Sequence, residues 1–341
     1  ARVKGAPIGI KGISLFIVPK FLVNDDGSLG ERNDVALAGL FHKMGGRGQT
    51  STALNFGEKG GAIGYLVGDE NKGLMYMFHM MNEARIMVGF SGAINALAGY
   101  QYSLDYAKER PQGRLPSCKD PLTPQVNIIE HADVRRMLLA QKAYAEGGFA
   151  LCMFGAQLVD DIKTSDSQER RAYASLLLDT LIPVIKTWPS EYGCKANSMA
   201  IQVMGGAGYV NEHPVEMFYR DNRLNPIHEG TTGIQSIDLL GRKTQIKGGA
   251  GFKAVLSEIR SSIADAQDSE RLKGFAEQLE QACVQLTLTT ELLSAAMAEK
   301  NIDLALSNSV KYLDMFGNIV IAWTWLKLGV VAEAGLAKAA H

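Results

Sequence analysis

The sequence predicts a mainly α fold: an antiparallel four-helix bundle with a partial β-domain at its N-terminus and a helical C-terminal extension. Residues 1–68 combine many glycines with short runs of β-branched and aromatic side chains, as strands joined by tight turns do. From Leu74, apolar side chains recur at three- and four-residue steps, which is the helical period. Further helical segments follow the glycine-rich sequence KGGAG. We therefore expect three parts, at 1–68, 69–246 and 247–341.

The N-terminal part should hold short strands. The run ISLFIV, which starts at Ile13, lies between Gly12 and Pro19 and is typical of one such strand. A second candidate is STALNFG, which follows the turn-rich HKMGGRGQTS. Because the chain opens directly in strand-like sequence, we expect the natural N-terminus to lie further upstream.

Four helices are predicted in the middle part, with the approximate ranges 74–110, 129–161, 167–204 and 234–243. The first is ended by a stretch containing Pro, Gly and Ser at 111–127. A kink is expected in the third, near Pro183 or Pro189. Long helices with short connections favour an antiparallel bundle.

The C-terminal part should be helical throughout, after a flexible joint at KGGAG. One apolar face consists of Phe252, Val255, Leu256, Ile259 and Ile263. A second consists of Leu272, Phe275, Leu279, Ala282, Leu286, Leu293 and Met297. A last helix carries Trp323 and Trp325. Its apolar stretch is interrupted by Asp314, Asn318 and Lys327, so we expect a buried helix and no membrane span.

The net charge and the cysteine spacing limit the classes of function that the protein can have. The formal net charge is −1, whereas a nucleic-acid binder usually carries a concentrated basic surface, so no nucleic-acid partner is expected. The four cysteines are widely and irregularly spaced, which fits buried thiols in a reducing compartment better than disulfides or a metal site.

The most informative stretch is QVMGGAGYVNEHPVEMFYRDNRLNPIHEGTTGIQ, at 202–235. Its GGAGY ends a predicted helix, so the glycines suit a helix cap, a close approach to a bulky ligand, or both. Glu229 lies in a non-helical turn between Pro226 and Gly230. A lone carboxylate is most often solvated, but one on a short turn beside apolar helices is also well placed to act as a base.

These motifs resemble the signature of the acyl-CoA dehydrogenase family: QxxGGxGY, then ExPxExxYRD, then IxEGTxxIQ. KGISLFIVP and KMGGRGQTSTALNFG resemble the second half of that family's middle β-domain, and MMNEAR and YAKER match landmarks on its first bundle helix. The resemblance covers 1–245. The segment after residue 250 resembles the C-terminal extension of larger members, such as the 3-methylmercaptopropionyl-CoA dehydrogenase type.

The resemblance implies FAD as cofactor and Glu229 as the base that takes the α-proton of an acyl-CoA thioester while hydride passes to the flavin. Gly230 would let substrate pass close to the main chain, and Thr231 would face the FAD. Some members carry the base on the first bundle helix immediately before an arginine. That position is Ala84 here, and Glu83 points about 100° away around the helix, so the choice is Glu229.

Further positions follow from the same resemblance. Asn82 and Arg85 match CoA contacts, with an exposed helix pair as the alternative. His228 stands where the family usually has Tyr and would line the acyl pocket, a second catalytic acid being the less favoured role. The contacts with FAD of a neighbouring subunit would be Arg110, Gln202, Gly205 and Gly206, which implies a homo-oligomer and suggests a homodimer.

The chain also departs from the family pattern. Arg110 is followed by Pro-Gln-Gly with no aromatic residue, and Gly233 stands where a polar FAD contact is common. The family's N-terminal helical domain and flavin-ring strands have no counterpart in the sequence. The intersubunit FAD contacts are therefore the least secure assignment.

The expected activity is α,β-dehydrogenation of an acyl-CoA, with electrons passing to electron-transferring flavoprotein in the cytoplasm. An acyl-CoA oxidase would differ in letting oxygen reach the reduced flavin, which the sequence leaves open. A DNA-associated flavoprotein of the same superfamily is a third alternative. It is disfavoured because residues 246–341 hold 9 Lys and Arg against 11 Asp and Glu.

Overall fold

The computed structural model describes residues 1–339, except for the side chain of His79. The chain divides into two compact units, Ala1–Ala84 and a larger unit that starts at Arg85. The first contains the predicted short strands, and the second is helical. This architecture confirms the mainly α fold class.

The N-terminal unit contains six short strands: β1 (Leu15–Ile17), β2 (Phe21–Val23), β3 (Leu29–Arg32), β4 (Val35–Leu40), β5 (Thr52–Phe56) and β6 (Tyr65–Val67). They form three antiparallel pairs, β1 with β6, β2 with β3 and β4 with β5. Asn33 is buried among their connections, and its side-chain amide donates to the carbonyls of Pro19 and Ile63. The two strands proposed from ISLFIV and STALNFG are confirmed as β1 and β5.

Nine α-helices follow in the described part of the chain: α1 (Gly73–Glu109), α2 (Ala132–Thr164), α3 (Gln168–Met204), α4 (Val215–Asn222), α5 (Thr232–Gly241), α6 (Ile246–Asp265), α7 (Lys273–Ala298), α8 (Ile302–Leu306) and α9 (Ser309–Ala339). The four predicted bundle helices correspond to α1, α2, α3 and α5. Ser167 caps α3 by accepting from the Arg170 N–H, as the sequence suggests for its start.

Helix α3 is central to the bundle. It packs against α2, α4, α5, α6 and α9. Leu181, Ile182 and Ile185 on this helix are fully buried, together with Leu239 of α5 and Phe316 of α9. Because α6 and α9 contribute to the same core, the C-terminal extension packs directly on the bundle.

Three details of α3 and of the extension bear on the sequence-based expectations. Helix α3 continues through Pro183 and Pro189 as one helix, and the expected kink near one of them stays a prediction. At the expected joint, Lys247, Gly248 and Gly249 have positive φ and form a turn that breaks the helix, and its flexibility stays a prediction. Phe275, on the second apolar face of the extension, is 65% exposed and lines an open apolar groove between α7 and α9.

Helix α9 is long and apolar enough to cross a membrane, judged by length and composition. Its side chains nevertheless contribute to the core: Phe316, Val320 and Trp323 are buried, and the Trp323 indole N–H donates to Ser262 of α6 at 2.8 Å. The C-terminal end of the helix carries exposed apolar residues such as Val331. The packing agrees with the expected buried helix, and the absence of a membrane span stays a prediction.

Candidate active site at the Glu229 turn

Glu229 lies in the connection between α4 and α5, where the backbone takes a left-handed conformation. The φ angle is 53° at Glu229 and 88° at Gly230. A non-glycine residue seldom adopts a positive φ, and such residues concentrate at functional sites. The Thr232 N–H closes the turn by donating to the Pro226 carbonyl at 3.2 Å. The side chain of Thr231 then caps α5 by accepting from the Ile234 N–H.

Buried side chains hold the two consecutive carbonyls of this turn. The Lys186 Nζ donates to the Gly230 carbonyl at 2.8 Å, and the Gln235 amide donates to the Glu229 carbonyl at 2.9 Å. Both side chains are fully buried. The Thr232 hydroxyl also donates to the Glu191 carboxylate on α3. The main chain on which the Glu229 side chain is mounted is therefore fastened from α3 and from α5.

Charge is concentrated beneath the turn. Burial lowers the pKa of Lys186 to about 8; the nearby Arg85 lowers it too, whereas Glu191 and Glu229 act in the opposite direction. Burial also lowers the pKa of His228, and the Lys186 charge adds to this effect. His228 is thereby biased towards its neutral form.

A chain of buried amides fixes the His228 ring. The ring Nε2 lies 3.2 Å from the Asn225 Oδ1, an atom that can only accept, so Nε2 carries the proton. The Asn225 Nδ2 donates to Asn222 at 2.8 Å, Asn222 donates to Asn197 at 2.7 Å, and Asn197 donates to the Asn95 carbonyl at 2.7 Å. The other ring nitrogen, Nδ1, is left as an acceptor.

The predicted substrate contacts on α1 have different environments. Arg85 is 6% exposed, and its guanidinium lies 3.9 Å from the Asp238 carboxylate of α5, so the alternative of an exposed helix pair is wrong for this residue. Asn82 is half-buried and belongs to the N-terminal unit. Glu83, the alternative base, is exposed, and Ala84 is half-buried.

The remaining predicted FAD contacts line one open cleft of about 790 Å³ at the far end of α3. Arg110 is exposed just after α1, and Gln202 lies in the last turn of α3. Gly205 has a φ of 60° and caps α3, and a Cβ added there or at Gly206 would meet no atom within 4 Å. The cap and the open approach predicted for GGAGY are thus both compatible with the structure. Thr231 belongs to the Glu229 turn instead.

Sequence reasoning missed the residues under the turn. Lys186 had a recognisable signal, because it interrupts an apolar helical run between Ile185 and Trp188. Asn222 ends α4, and Asn225 lies three residues later in the turn that follows; both are buried polar residues. Gln235 is the last residue of the IxEGTxxIQ motif, which by itself assigns it no role. Lys186 and Gln235 give a half-buried carboxylate a fixed main chain, which is what a general base needs, and the two asparagines hold the His228 ring beside it.

Comparison with known proteins gives a consistent result. The family model for the acyl-CoA dehydrogenase C-terminal domain matches residues 71–243, and an acetyl-CoA dehydrogenase C-terminal-like model matches residues 255–341. The chain is 37% identical over 339 residues to 3-methylmercaptopropionyl-CoA dehydrogenase of Ruegeria pomeroyi, covering 99% of the chain and 56% of that protein. It is 34% identical over 345 residues to a broad-specificity linear acyl-CoA dehydrogenase of Mycobacterium tuberculosis, with 98% and 56% coverage.

Solved structures share the fold. Caenorhabditis elegans ACDH-11, solved in complex with C11-CoA, superposes with a TM-score of 0.77 at 20% identity, covering 94% of this chain and 51% of that one. An acyl-CoA dehydrogenase of Bacillus anthracis, solved with FAD, superposes with a TM-score of 0.72 at 19% identity, with 92% and 51% coverage. The chain thus spans about half the length of the relatives that it matches. On the family-model matches, it belongs to the acyl-CoA dehydrogenase family.

Proposed function

We propose that the protein catalyses FAD-dependent α,β-dehydrogenation of an acyl-CoA thioester to the 2-enoyl-CoA, with Glu229 as the base that removes the α-proton. Support comes from the family membership and from the names of the relatives, which are acyl-CoA dehydrogenases. The observation that carries the proposal is the turn itself. Glu229 is mounted on a left-handed main chain whose carbonyls are held by Lys186 and Gln235.

The residues of the α3 cleft suit the diphosphate part of the FAD bound to a neighbouring subunit. Arg110 offers a guanidinium, which pairs well with phosphate oxygens, and Gln202 offers an amide beside it. Gly205 and Gly206 leave the backbone open to a close approach. Thr231 would lie towards the flavin. When bound, FAD supplies the acceptor for the hydrogen that leaves the β-carbon as hydride.

The chain's own residues would position the base and the substrate and polarise the thioester carbonyl. The Glu229 carboxylate takes the α-proton, which is too weakly acidic for an unaided carboxylate, so the thioester carbonyl needs a hydrogen-bond donor. The Glu229 N–H is the proposed donor, and Gly230, lacking a side chain, leaves room for the thioester beside it. His228, held by the amide chain, would line the acyl pocket.

Asn82 and Arg85 are the proposed CoA contacts. Arg85 already lies near Asp238, so CoA would draw on a guanidinium that is in part committed to an ion pair. Electron-transferring flavoprotein is the proposed electron acceptor, and a homodimer in the cytoplasm is the proposed state of the protein.

The decisive experiment uses Glu229→Gln in the flavin-loaded full-length protein. This change keeps the shape and a hydrogen-bonding oxygen but removes the basic group. Anaerobic mixing with saturated acyl-CoAs of several lengths should show flavin reduction slowed by at least ~10²–10⁴, the contribution typical of a general base. Binding should survive, seen as a perturbed flavin spectrum without bleaching.

Glu83→Gln is the matched control, because it removes the alternative carboxylate on α1. It should reduce flavin at the parent rate. A Glu229→Gln protein that reduces flavin at the parent rate, with loss of rate in Glu83→Gln instead, would move the base to α1.

A further inference from the structure

Lys186 is a buried cation directly under the Glu229 turn, and the proposed chemistry gives it no part. It lies in the middle of α3 with 0% of its surface exposed. Withdrawing an ammonium group from water opposes folding unless its hydrogen bonds and charge are compensated. An apolar side chain of similar length would fill the same space without that cost. The lysine is therefore expected to do something that an apolar side chain cannot.

What Lys186 does is visible in its contact. Its Nζ donates to the carbonyl of Gly230, the residue immediately after Glu229, at 2.8 Å. The preceding carbonyl, that of Glu229 itself, accepts from Gln235 at 2.9 Å. Glu229 and Gly230 both have positive φ, a conformation that a glutamate adopts at a cost and keeps only where its surroundings impose it. Lys186 is one of the two buried donors that impose it.

We infer that Lys186 is a positioning residue for proton abstraction. By donating to the Gly230 carbonyl it holds the Glu229 turn in the geometry from which the carboxylate reaches the substrate α-proton. This inference rests on the proposed role of Glu229 as the base. Small displacements of a catalytic group of about 1 Å can slow a reaction about a hundredfold, so the loss of one such donor should be measurable as a rate.

Lys243 provides a matched comparison within the same unit. It is also buried, at 3% exposed, and its Nζ lies 3.1 Å from the Asp179 carboxylate on α3. Its partner is a side chain outside the Glu229 turn. A lysine that serves the fold alone should behave like Lys243 when it is replaced.

The test compares Lys186→Met, Lys186→Gln and Lys243→Met in the flavin-loaded full-length protein. Two quantities are measured anaerobically. The first is the flavin reduction rate at saturating butyryl-CoA or a longer saturated acyl-CoA, and the second is the dissociation constant of that acyl-CoA, obtained from the change in flavin absorbance. Lys186→Met should reduce flavin about ten- to hundredfold more slowly, with a dissociation constant within about threefold of the parent value. Lys186→Gln keeps an N–H donor on a shorter side chain. Its flavin reduction rate should lie between those of Lys186→Met and the parent.

Lys243→Met should keep the parent rate and have a lower melting temperature, whereas Lys186→Met should melt no lower than the parent at pH 7. Flavin reduction within twofold of the parent rate in Lys186→Met overturns the inference. If that protein does not fold, the same rate criterion applied to Lys186→Gln decides. Glu229→Gln separates the two proposals. If Glu229→Gln reduces flavin at the parent rate, the proposed function fails. If Glu229→Gln loses rate and the Lys186 variants do not, only the positioning role of Lys186 fails.

Discussion

Two of the left-handed turns in the larger unit place a charged residue before glycine, and they are built differently. The first contains Glu229 and Gly230, between α4 and α5, and the second contains Lys247, Gly248 and Gly249, at the start of α6. Both place a charged residue at positive φ directly before glycine. The first has its carbonyls held by buried side chains from two helices. At the second, a Cβ added to Gly248 would meet no atom within 4 Å.

The difference separates a turn that positions a side chain from a turn that redirects the chain. A connecting turn needs suitable φ angles, which glycine supplies, and little else. A turn that carries a base must also resist movement, which requires contacts on its buried side. In this protein those contacts are polar, and one of them is a cation that is costly to bury. Stability and positioning therefore make opposite demands on position 186.

The largest expected contrast comes from placing alanine in each turn. In Gly230→Ala the new Cβ would lie 2.6 Å from the Gln235 amide nitrogen, at a φ of 88° that alanine tolerates poorly. The side chain that holds the Glu229 carbonyl must then move, and flavin reduction should slow about tenfold to a hundredfold. Gly248→Ala meets open space at a φ of 67°, so it should cost about 1–2 kcal/mol of unfolding free energy and leave the rate unchanged.

Denaturant unfolding and anaerobic flavin reduction, measured on both alanine proteins, check this contrast. Equal rates in the two would mean that the Glu229 turn tolerates displacement. The distinction between the turns would then lie in their sequence alone.

A pH dependence of stability should belong to the first turn. The pKa of Lys186 is lowered from 10.5 to about 8, so between these values the unfolded chain binds more protons than the folded protein. The free energy of unfolding should therefore rise with pH in this window, by a total of about 3 kcal/mol at about 1.4 kcal/mol per unit. Below pH 8 the buried charge opposes folding in full.

Urea denaturation of the parent and of Lys186→Met at several pH values from 7 to 10.5 isolates this contribution. Tyr173 and Tyr192, whose pKa values burial raises to about 12, titrate alike in both proteins and cancel in the difference. The gap between the two proteins should close as pH rises. A constant gap would show that Lys186 titrates normally.

A smaller effect is expected at Arg85, which lies among the charges beneath the first turn. Arg85→Ala should raise KM for acyl-CoA about tenfold, more than it lowers kcat, since a CoA contact contributes mostly uniform binding. It should also lower the unfolding free energy by about 1–3 kcal/mol, because Arg85 is buried near Asp238.

Asp238→Asn is the control, because it weakens the ion pair and keeps the guanidinium. We expect reduced stability with an unchanged KM, measured by steady-state kinetics and thermal melting. If Arg85→Ala also leaves KM unchanged, Arg85 serves the fold and is not a CoA contact.

The sequence predicted the helices well because long apolar periods leave little choice of structure. The limits of α1, α2 and α3 fall within a few residues of the predicted ones. The turn at Glu229 was also predictable, since Pro226 and Gly230 flank it. Burial was harder to predict than helix limits. Phe275 lies on an apolar helical face and is nevertheless 65% exposed, because burial depends on what packs against a residue, and a local pattern carries no information about that.

The candidate site shows the same limit. The motifs identified Glu229 and its neighbours but not the donors under the turn. Lys186 lies on α3, some forty residues earlier in the sequence, and Gln235 lies inside α5. A lone lysine in an apolar run is a signal of a buried charge, but its partner becomes known only when the helices are packed. The roles of the individual site residues, and the division at 1–68, 69–246 and 247–341, stay predictions.

Because α3 is continuous through its two prolines, it sets the distance between the Glu229 turn and the cleft at its C-terminal end. Lys186, under the base, and Gly205, at the mouth of the cleft, are separated by about 28 Å along one helix axis, at 1.5 Å per residue. Deleting a single residue between them would shorten that span by about 1.5 Å and rotate one end by about 100° relative to the other. The spacing between the Glu229 turn and the cleft, which is proposed to contact the FAD of a neighbouring subunit, is thus set by residue count. Insertions and deletions should be tolerated in the loops that flank α3 far better than within this interval.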